Sequence, residues 1–220
     1  MKRLFDVVVA SCALVILLPL LLSLALAVLV SSPGPIVYRG TRVGRAGRQF
    51  SILKFRSMRI AEQQGRDITV RDDPRVTAVG RFLRVSKFDE LPQLWNVVCG
   101  QMSLVGPRPE APRYVETYTP EQREVLSVRP GMTGLTQIYF RHEELLLRGS
   151  QVERYYETVV MPAKLEIDAY YARHHTFWLD LKVLALTFVA LFRPVRPPNT
   201  PPFTVTVLSG KTPQESYPVS

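Results

Sequence analysis

The sequence predicts an α+β protein: an N-terminal membrane helix, re-entrant or spanning, then a small β-hairpin and a mostly helical cytoplasmic domain with interfacial amphipathic helices. Three observations predict it. Val7 to Val30 holds no charged residue, two short alternating apolar runs flank a turn rich in glycine and arginine, and the later apolar positions recur at helical spacing. The 220 residues divide into a membrane helix (1–35), a membrane-associated cytoplasmic domain (36–192) and a proline-rich tail (193–220). The formal charge of +9 is uneven: the first sixty positions carry nine Lys or Arg against Asp6 alone. A uniformly soluble globule and a disordered chain are both excluded. The two cysteines, Cys12 and Cys99, build no disulfide framework and match no metal-ligand spacing.

For the apolar run, a cleaved signal peptide fits Lys2, Arg3 and the Ala25-Leu26-Ala27 triplet, but the apolar stretch continues beyond that triplet. A spanning helix fits the length, since 24 residues at ~1.5 Å each reach ~36 Å against a hydrocarbon core of ~30 Å. A broken helix that enters and leaves by one leaflet fits two further features. Pro19 removes the amide that would bond the Val15 carbonyl, which bends the helix there. Basic residues flank both ends, Lys2 and Arg3 on one side and Arg39, Arg42, Arg45 and Arg48 on the other, so the positive-inside rule places both ends in the cytoplasm.

After a turn cluster at 31–35, Ile36 to Tyr38 and Gln49 to Phe55 read as a hairpin around Gly40 to Gly47. Glu62 to Pro74 reads as a polar loop, and Arg81 to Val85 as a short helical or extended piece. Ser86 is a candidate N-cap for a helix with Asp89 and Glu90 in its first turn, Leu91, Leu94, Trp95 and Val98 at helical spacing, and Gly100 as its stop. Pro120 to Leu126 is a further candidate helix, and Val152 to Tyr171 reads as one or two helices interrupted at Pro162. Phe177 to Phe192 is apolar apart from Asp180 and Lys182, and at sixteen residues it suits the interface better than a crossing.

The adjacent acids Asp89 and Glu90 point ~100° apart on a helix, which suits one carboxylate for attack or proton acceptance and one for a metal. Acids in a first turn more often stabilise a helix, so the pair gains weight only from its surroundings. Two loops supply them: Val105-Gly106-Pro107-Arg108-Pro109 and Val128-Arg129-Pro130-Gly131-Met132-Thr133-Gly134. Each combines a fixed turn, a glycine that lets an amide approach a ligand and an arginine fork for phosphate oxygens. Lys54, Arg56, Arg81 and Arg84 add cations that suit a phosphate or anionic lipid equally. His142, His174 and His175 lack zinc spacing and read as surface residues. Tyr155-Tyr156, Tyr170-Tyr171 and Phe177-Trp178 fit an interfacial aromatic belt or core packing equally well.

Taken in order, Lys2-Arg3-Leu4-Phe5-Asp6, Lys54-Phe55-Arg56-Ser57-Met58, Phe88-Asp89-Glu90-Leu91-Pro92-Gln93-Leu94-Trp95-Asn96, Met102 to Pro109, Arg129 to Gly134 and Leu179-Asp180-Leu181-Lys182 resemble the bacterial sugar transferases called monotopic phosphoglycosyl transferases. The resemblance runs from Lys2 to Phe192, and the length is similar to the family's minimal catalytic form. It implies a re-entrant membrane helix kinked at Pro19 and a catalytic domain on the cytoplasmic face of the bacterial inner membrane. It implies transfer of a sugar 1-phosphate from a UDP-sugar to undecaprenyl phosphate with release of UMP, the first membrane step of capsule, exopolysaccharide or O-antigen synthesis. By the same resemblance Asp89 is the nucleophile that carries a covalent phospho-sugar, and Glu90 binds Mg²⁺, with Asp89 and Asp180 as the further acids of the metal site. Lys54, Arg84, Arg108, Arg129 and Arg141 are the implied phosphate-binding cations. The implied partners are the UDP-sugar, undecaprenyl phosphate, membrane lipids and, in some assemblies, a second copy of the chain.

Two features depart from that family pattern. Leu18-Pro19 stands where Ser-Pro is common, and Tyr139-Phe140-Arg141-His142 opens a longer segment, Ile138 to Lys164, where a Gly-Arg-Asn-like stretch is common. The alternative function is a non-enzymatic, basic, membrane-anchored scaffold of a polysaccharide assembly system, which would leave both phosphate-type loops unexplained. Nucleic acid is not an expected partner, because no recognition motif accompanies the charge.

Overall fold

A computed structural model describes residues 1–59, 73–140 and 152–192. The tail, Arg141 and most of the polar loop lie outside the described residues.

The apolar run forms two helices, α1 (Lys2–Ile16) and α2 (Leu18–Ser31), bent by 64°. The break falls at Leu17, and Pro19 takes a first-turn position of α2, where a missing amide costs least. The Ser23 hydroxyl donates to the Pro19 carbonyl at 2.9 Å, one turn beyond the break, and so does not replace the Val15 bond that proline removes. Among the described residues no single helix is long and apolar enough to cross a membrane; this bent pair reaches that by length and composition only together. Leu4, Val15, Ile16, Leu18, Leu22, Leu26 and Leu29 stand exposed along it.

The hairpin is longer than its alternation suggested. Strand β1 (Val37–Val43) pairs antiparallel with β2 (Gln49–Phe55), from Val37 opposite Phe55 to Val43 opposite Gln49. Arg42 therefore lies in the ladder, and only Gly44 to Arg48 make the tip. Arg81 to Val85 is helical, within α3 (Ala78–Ser86), which Thr77 caps by accepting the Gly80 amide at 2.9 Å. Helix α4 (Gln93–Val98) follows, then β3 (Ser103–Val105), α5 (Pro112–Glu116), a 3₁₀ segment (Gln122–Ser127), β4 (Gly131–Thr133) and α6 (Leu135–Tyr139). Strands β3 and β4 pair in parallel.

The expected interruption near Pro162 takes the form of a π turn (Tyr156–Val160) between α7 (Val152–Tyr155) and α8 (Met161–His174). Pro162 has no amide for the Thr158 carbonyl, and the Met161 amide bonds Tyr156 instead. Helix α9 (Phe177–Phe192) buries Asp180, Val183 and Ala190 and exposes Trp178, Phe188 and Val189. Phe82 and Val85 of α3 are exposed as well. Tyr156 and Tyr171 are core residues, so of the two aromatic readings packing holds for them.

Polar side chains fasten the helix pair to the domain. The sequence reading takes Lys2 and Arg3 as part of a basic collar. In the structure both also bond to the domain. Lys2 Nζ donates to Val105 O (3.2 Å) and pairs with Asp180 (2.5 Å), while Arg3 donates to Val97 O (2.6 Å), which also accepts the Gly100 amide, and to Val98 O (3.0 Å), the last two carbonyls of α4. Asp6, buried, accepts from Ser103 Oγ at 2.8 Å. At the other end Arg56, also buried, donates to Pro35 O (2.6 Å) and Ser32 O (2.5 Å) just past α2. A small apolar cluster of Leu24, Val28, Phe55 and Leu83 seats α2 on α3; fully burying each such side chain is worth about 1.5–3 kcal/mol.

Candidate active site

Asp89 and Glu90 occupy one 3₁₀ turn, Phe88–Glu90, between α3 and α4. The expected N-cap is displaced: Ser86 ends α3, its hydroxyl donating to Phe82 O at 2.8 Å, and Lys87 makes the turn with φ 61°. A left-handed lysine carries strain, and it lets α3 and α4 present their facing ends to one spot.

Two distant elements converge on Glu90. Lys54 of β2 places Nζ 2.7 Å from Oε1, and Arg108 of the loop after β3 places a terminal nitrogen 3.3 Å from the same oxygen. Strand β2 holds its position because buried Asn96 of α4 accepts the Leu53 amide (3.0 Å) and donates to Ser51 O (2.8 Å). Burial works against ionisation of Glu90, but Lys54 and Arg108 outweigh it and hold the carboxyl well below the usual range. Burial likewise pushes the Lys54 ammonium down, with Glu90 opposing.

Asp89 is 8% exposed, and its Oδ1 has no hydrogen-bond partner. Burial raises its pKa, Lys54 pulls it down, Glu90 adds to the rise, and Arg84 and Lys87 pull it down further. Arg84, on α3, also acts on Asp73, whose carboxylate grips Arg75 at 2.6 Å. The site thus combines a buried carboxylate with an unpartnered oxygen, a second carboxylate already paired, and cations from β2, α3 and the Arg108 loop.

The two glycine loops meet, though not as the sequence suggested. Gly106 N–H donates to Thr133 O (2.9 Å) and Gly131 N–H to Pro107 O (2.8 Å), so the loops bond to each other through the parallel β3–β4 pair. A Cβ on Gly106 would stand 2.4 Å from Arg129 O, and one on Gly131 would stand 2.1 Å from Gly106 N. Their glycines serve backbone contact between the loops.

The structure therefore brings together Lys54, Arg84, Asp89, Glu90 and Arg108. It directs two other candidates elsewhere: Arg129 Nε donates to Gly100 O at 3.0 Å, and Asp180 is buried between Lys2 and the Tyr171 hydroxyl. Arg141 lies outside the described residues. Among the described residues no three His, Cys, Asp or Glu side chains gather as a metal site. The donors present are of the kind a magnesium ion takes, one or two carboxylates with phosphate oxygens and water completing its shell; Asp89, with its unpartnered Oδ1, and Glu90 are the carboxylates of this site that could serve. Sequence reading missed Asn96 as an organiser of the site, and Arg56 and Asp6 as fasteners of the helix pair. The available signal was a polar residue inside an apolar period, as with Asn96 between Trp95 and Val97.

Several proteins are similar to this chain. The UDP-glucose:undecaprenyl-phosphate glucose-1-phosphate transferase of Klebsiella pneumoniae is 40% identical over 190 residues, 84% of this chain and 39% of its own length. The protein of the same name from Caulobacter vibrioides is 43% identical over 196 residues, 86% of this chain and 69% of its own. The exopolysaccharide production protein PSS of Rhizobium leguminosarum is 37% identical over 198 residues, 86% of this chain and 94% of its own. This chain thus spans about two fifths of the first relative's length and nearly all of the last. The sequence signature described as "Bacterial sugar transferase" matches residues 1–194, and the chain belongs to that family.

Proposed function

We propose that this protein is an enzyme that moves a sugar 1-phosphate from a UDP-sugar to undecaprenyl phosphate at the cytoplasmic face of the bacterial inner membrane. The observation that carries the reading is the convergence of Lys54 and Arg108 on Glu90, beside the buried, partnerless Oδ1 of Asp89. A carboxylate approaching a diphosphate meets anion repulsion, and fixed cations offset it.

Asp89 attacks the phosphorus that bears the sugar. The bond from that phosphorus to the bridging oxygen breaks, and UMP leaves with the electron pair. Lys54 and Arg108 neutralise charge on the departing phosphate, while Arg84 and Lys87 favour the ionised form of Asp89. An oxygen of undecaprenyl phosphate then attacks the same phosphorus, its bond to Asp89 breaks, and the lipid diphosphate sugar is released with the carboxylate restored. Asp89 and Glu90 are the residues that would hold Mg²⁺, which would supply Lewis-acid charge for the diphosphate. The lipid phosphate lies at the bilayer surface, so the exposed apolar faces of α1, α2, α3 and α9 support a re-entrant seat for the domain there.

Purified protein in detergent, given UDP-glucose, polyprenyl phosphate and Mg²⁺, is expected to release UMP and to stop when either of the last two is withheld. UDP-glucose is the first substrate to test because two relatives carry it in their names; a panel of UDP-sugars then identifies the sugar. Full activity in Asp89→Asn would overturn the nucleophile assignment.

A further inference from the structure

Three side chains beside the Arg108 loop have no part in the proposed reaction. Glu110 follows Arg108 by two residues, with Pro109 between them. Its carboxylate accepts from the Tyr156 hydroxyl at 2.7 Å and lies 3.5 Å from Lys164 Nζ, which itself donates to that hydroxyl at 3.3 Å. Tyr156 and Lys164 are both buried. Ammonium, hydroxyl and carboxylate thus form one donor-to-acceptor chain, in which each bond polarises the next. The ammonium also lies 5.1 Å from the centre of the Tyr156 ring, and that ring packs against Tyr114 of α5 at 5.3 Å.

The π turn between α7 and α8 makes the arrangement possible. Tyr156 and Lys164 are eight residues apart. Eight steps of a regular α-helix overshoot two full turns by about 80°, whereas a π turn absorbs one residue and leaves seven steps, within about 20° of two turns. Both side chains therefore lie on one face, and Lys164, leaning towards the helix N-terminus, reaches back to Tyr156. The Arg108 loop is meanwhile anchored on both sides. Before Arg108, Gly106 N–H donates to Thr133 O (2.9 Å) and Pro107 O accepts from Gly131 N–H (2.8 Å). After it, Glu110 O accepts from Val43 N–H (3.0 Å), and the Glu110 side chain is held by Tyr156 and Lys164. Pro107 and Pro109 fix φ on either side of Arg108, so little freedom is left between the anchors.

We propose that Glu110 is a positioning residue for Arg108, with the Tyr156 hydroxyl and the Lys164 ammonium as the clamp on its carboxylate: holding the far end of the loop sets where the guanidinium meets Glu90 and the substrate's diphosphate. The diphosphate part rests on the transferase reading, and the loop part on geometry alone. Tyr156 and Lys164 both fall in the segment, Ile138 to Lys164, that departs from the family pattern. The clamp gives that segment a task at the active site.

The test is made on the full chain in detergent with Tyr156→Phe, which keeps the ring and deletes the hydroxyl. Two quantities are compared with wild type: kcat/KM for UMP release, and hydrogen exchange at the Val43 and Gly106 amides, which report the two ends of the loop. The expected result is Val43 exchange faster by about fivefold with Gly106 unchanged, and a kcat/KM loss of about fivefold. In an Arg108→Gln background the same substitution is expected to change kcat/KM by less than about twofold. Equal loss in both backgrounds, or equal acceleration at Val43 and Gly106, overturns the positioning role, because a merely structural bond would loosen the domain without acting through Arg108. Unaltered Val43 exchange overturns it even if no UDP-sugar is turned over. Faster Val43 exchange without turnover of any UDP-sugar upholds the loop part and counts against the transferase reading alone. Should Tyr156→Phe not fold, Glu110→Gln removes the charge that Lys164 faces at nearly constant size and is expected to show the same pattern at about threefold; no effect there counts against the proposal.

Discussion

Replacing Lys54 by methionine keeps the aliphatic stem and deletes the ammonium 2.7 Å from Glu90 Oε1. The two side chains are 20% and 16% exposed, so the pair stands largely out of water. An exposed pair is worth about 0–1 kcal/mol, and breaking a fully buried one costs about 3–5 kcal/mol. Arg108 remains 3.3 Å from the same oxygen and keeps part of the interaction, which leaves a loss of about 2–3 kcal/mol. In the proposed reaction the same charge would act on the departing phosphate, so kcat/KM is expected to fall by about 30- to 160-fold. The pH profile shifts as well. In the wild type burial opposes ionisation of Glu90, but Lys54 and Arg108 hold its pKa far down, so Glu90 keeps its charge throughout the working range. Without Lys54 the burial contribution is opposed less and the pKa climbs. The variant then loses activity as pH falls through a range where Glu90 of the wild type stays ionised. UMP release measured from pH 5 to 9 checks both effects, with Lys54→Arg as the variant that keeps the charge. A Lys54→Met protein with wild-type kcat/KM and the wild-type acid limb refutes the reasoning.

Further outcomes follow from the same geometry. Asp89→Asn is expected to lower kcat by at least about 10³-fold, measured as UMP release. Because burial raises the Asp89 pKa, wild-type activity should disappear as pH falls through a midpoint above 3.8, when the carboxylate takes up its proton. Gly106→Ala forces backbone apart, its Cβ 2.4 Å from Arg129 O, and is expected to cost about 2–3 kcal/mol and a clear drop in Tm. Gly47→Ala, with φ +73° and open space around it, is expected to cost only about 1 kcal/mol. Thermal melts in one detergent compare the two, and equal shifts would remove the packing argument.

What was legible depended on whether the signal was local. The apolar run, the hairpin, α9 and the acidic turn each follow from spacing within a few residues, and all four are present. The approach of Lys54 and Arg108 to Glu90 was suggested only by the order of motifs, because 36 and 18 residues separate them and a single sequence carries no record of contact. The short β3 and β4 read as loops for a physical reason. Three-residue strands have no alternation to detect, and their stability comes from a parallel partner 28 residues away in the chain. Lys2 and Arg3 read as a cytoplasmic basic flank, and Arg56 as a cation for phosphate or anionic lipid, because long cations more often lie at surfaces. Their actual partners, Val105 O and Asp180 for Lys2, Val97 O and Val98 O for Arg3, and Ser32 O and Pro35 O for Arg56, come within reach only once the helices are placed.

These same contacts bear on the membrane seat. Helices of 15 and 14 residues rise about 22 and 21 Å, each short of a hydrocarbon core of ~30 Å. Lys2 and Arg3 tie the start of α1 to Val105, Asp180 and α4, and Arg56 ties the end of α2 to β2. Both ends are therefore fastened to one domain, whereas a spanning pair would have to draw one end across the bilayer and break a set of buried polar bonds. A re-entrant seat keeps those bonds and leaves the exposed leucines of the bend in lipid. In a Cys12→Ser, Cys99→Ser background, a single cysteine inserted after Met1 and, separately, Arg48→Cys are expected to react with an impermeant maleimide in inside-out vesicles and to stay unlabelled in intact spheroplasts. Labelling of the two positions from opposite sides would eliminate the re-entrant seat. It would also require Lys2 and Asp180 to part, since Asp180 belongs to the same domain as Arg48.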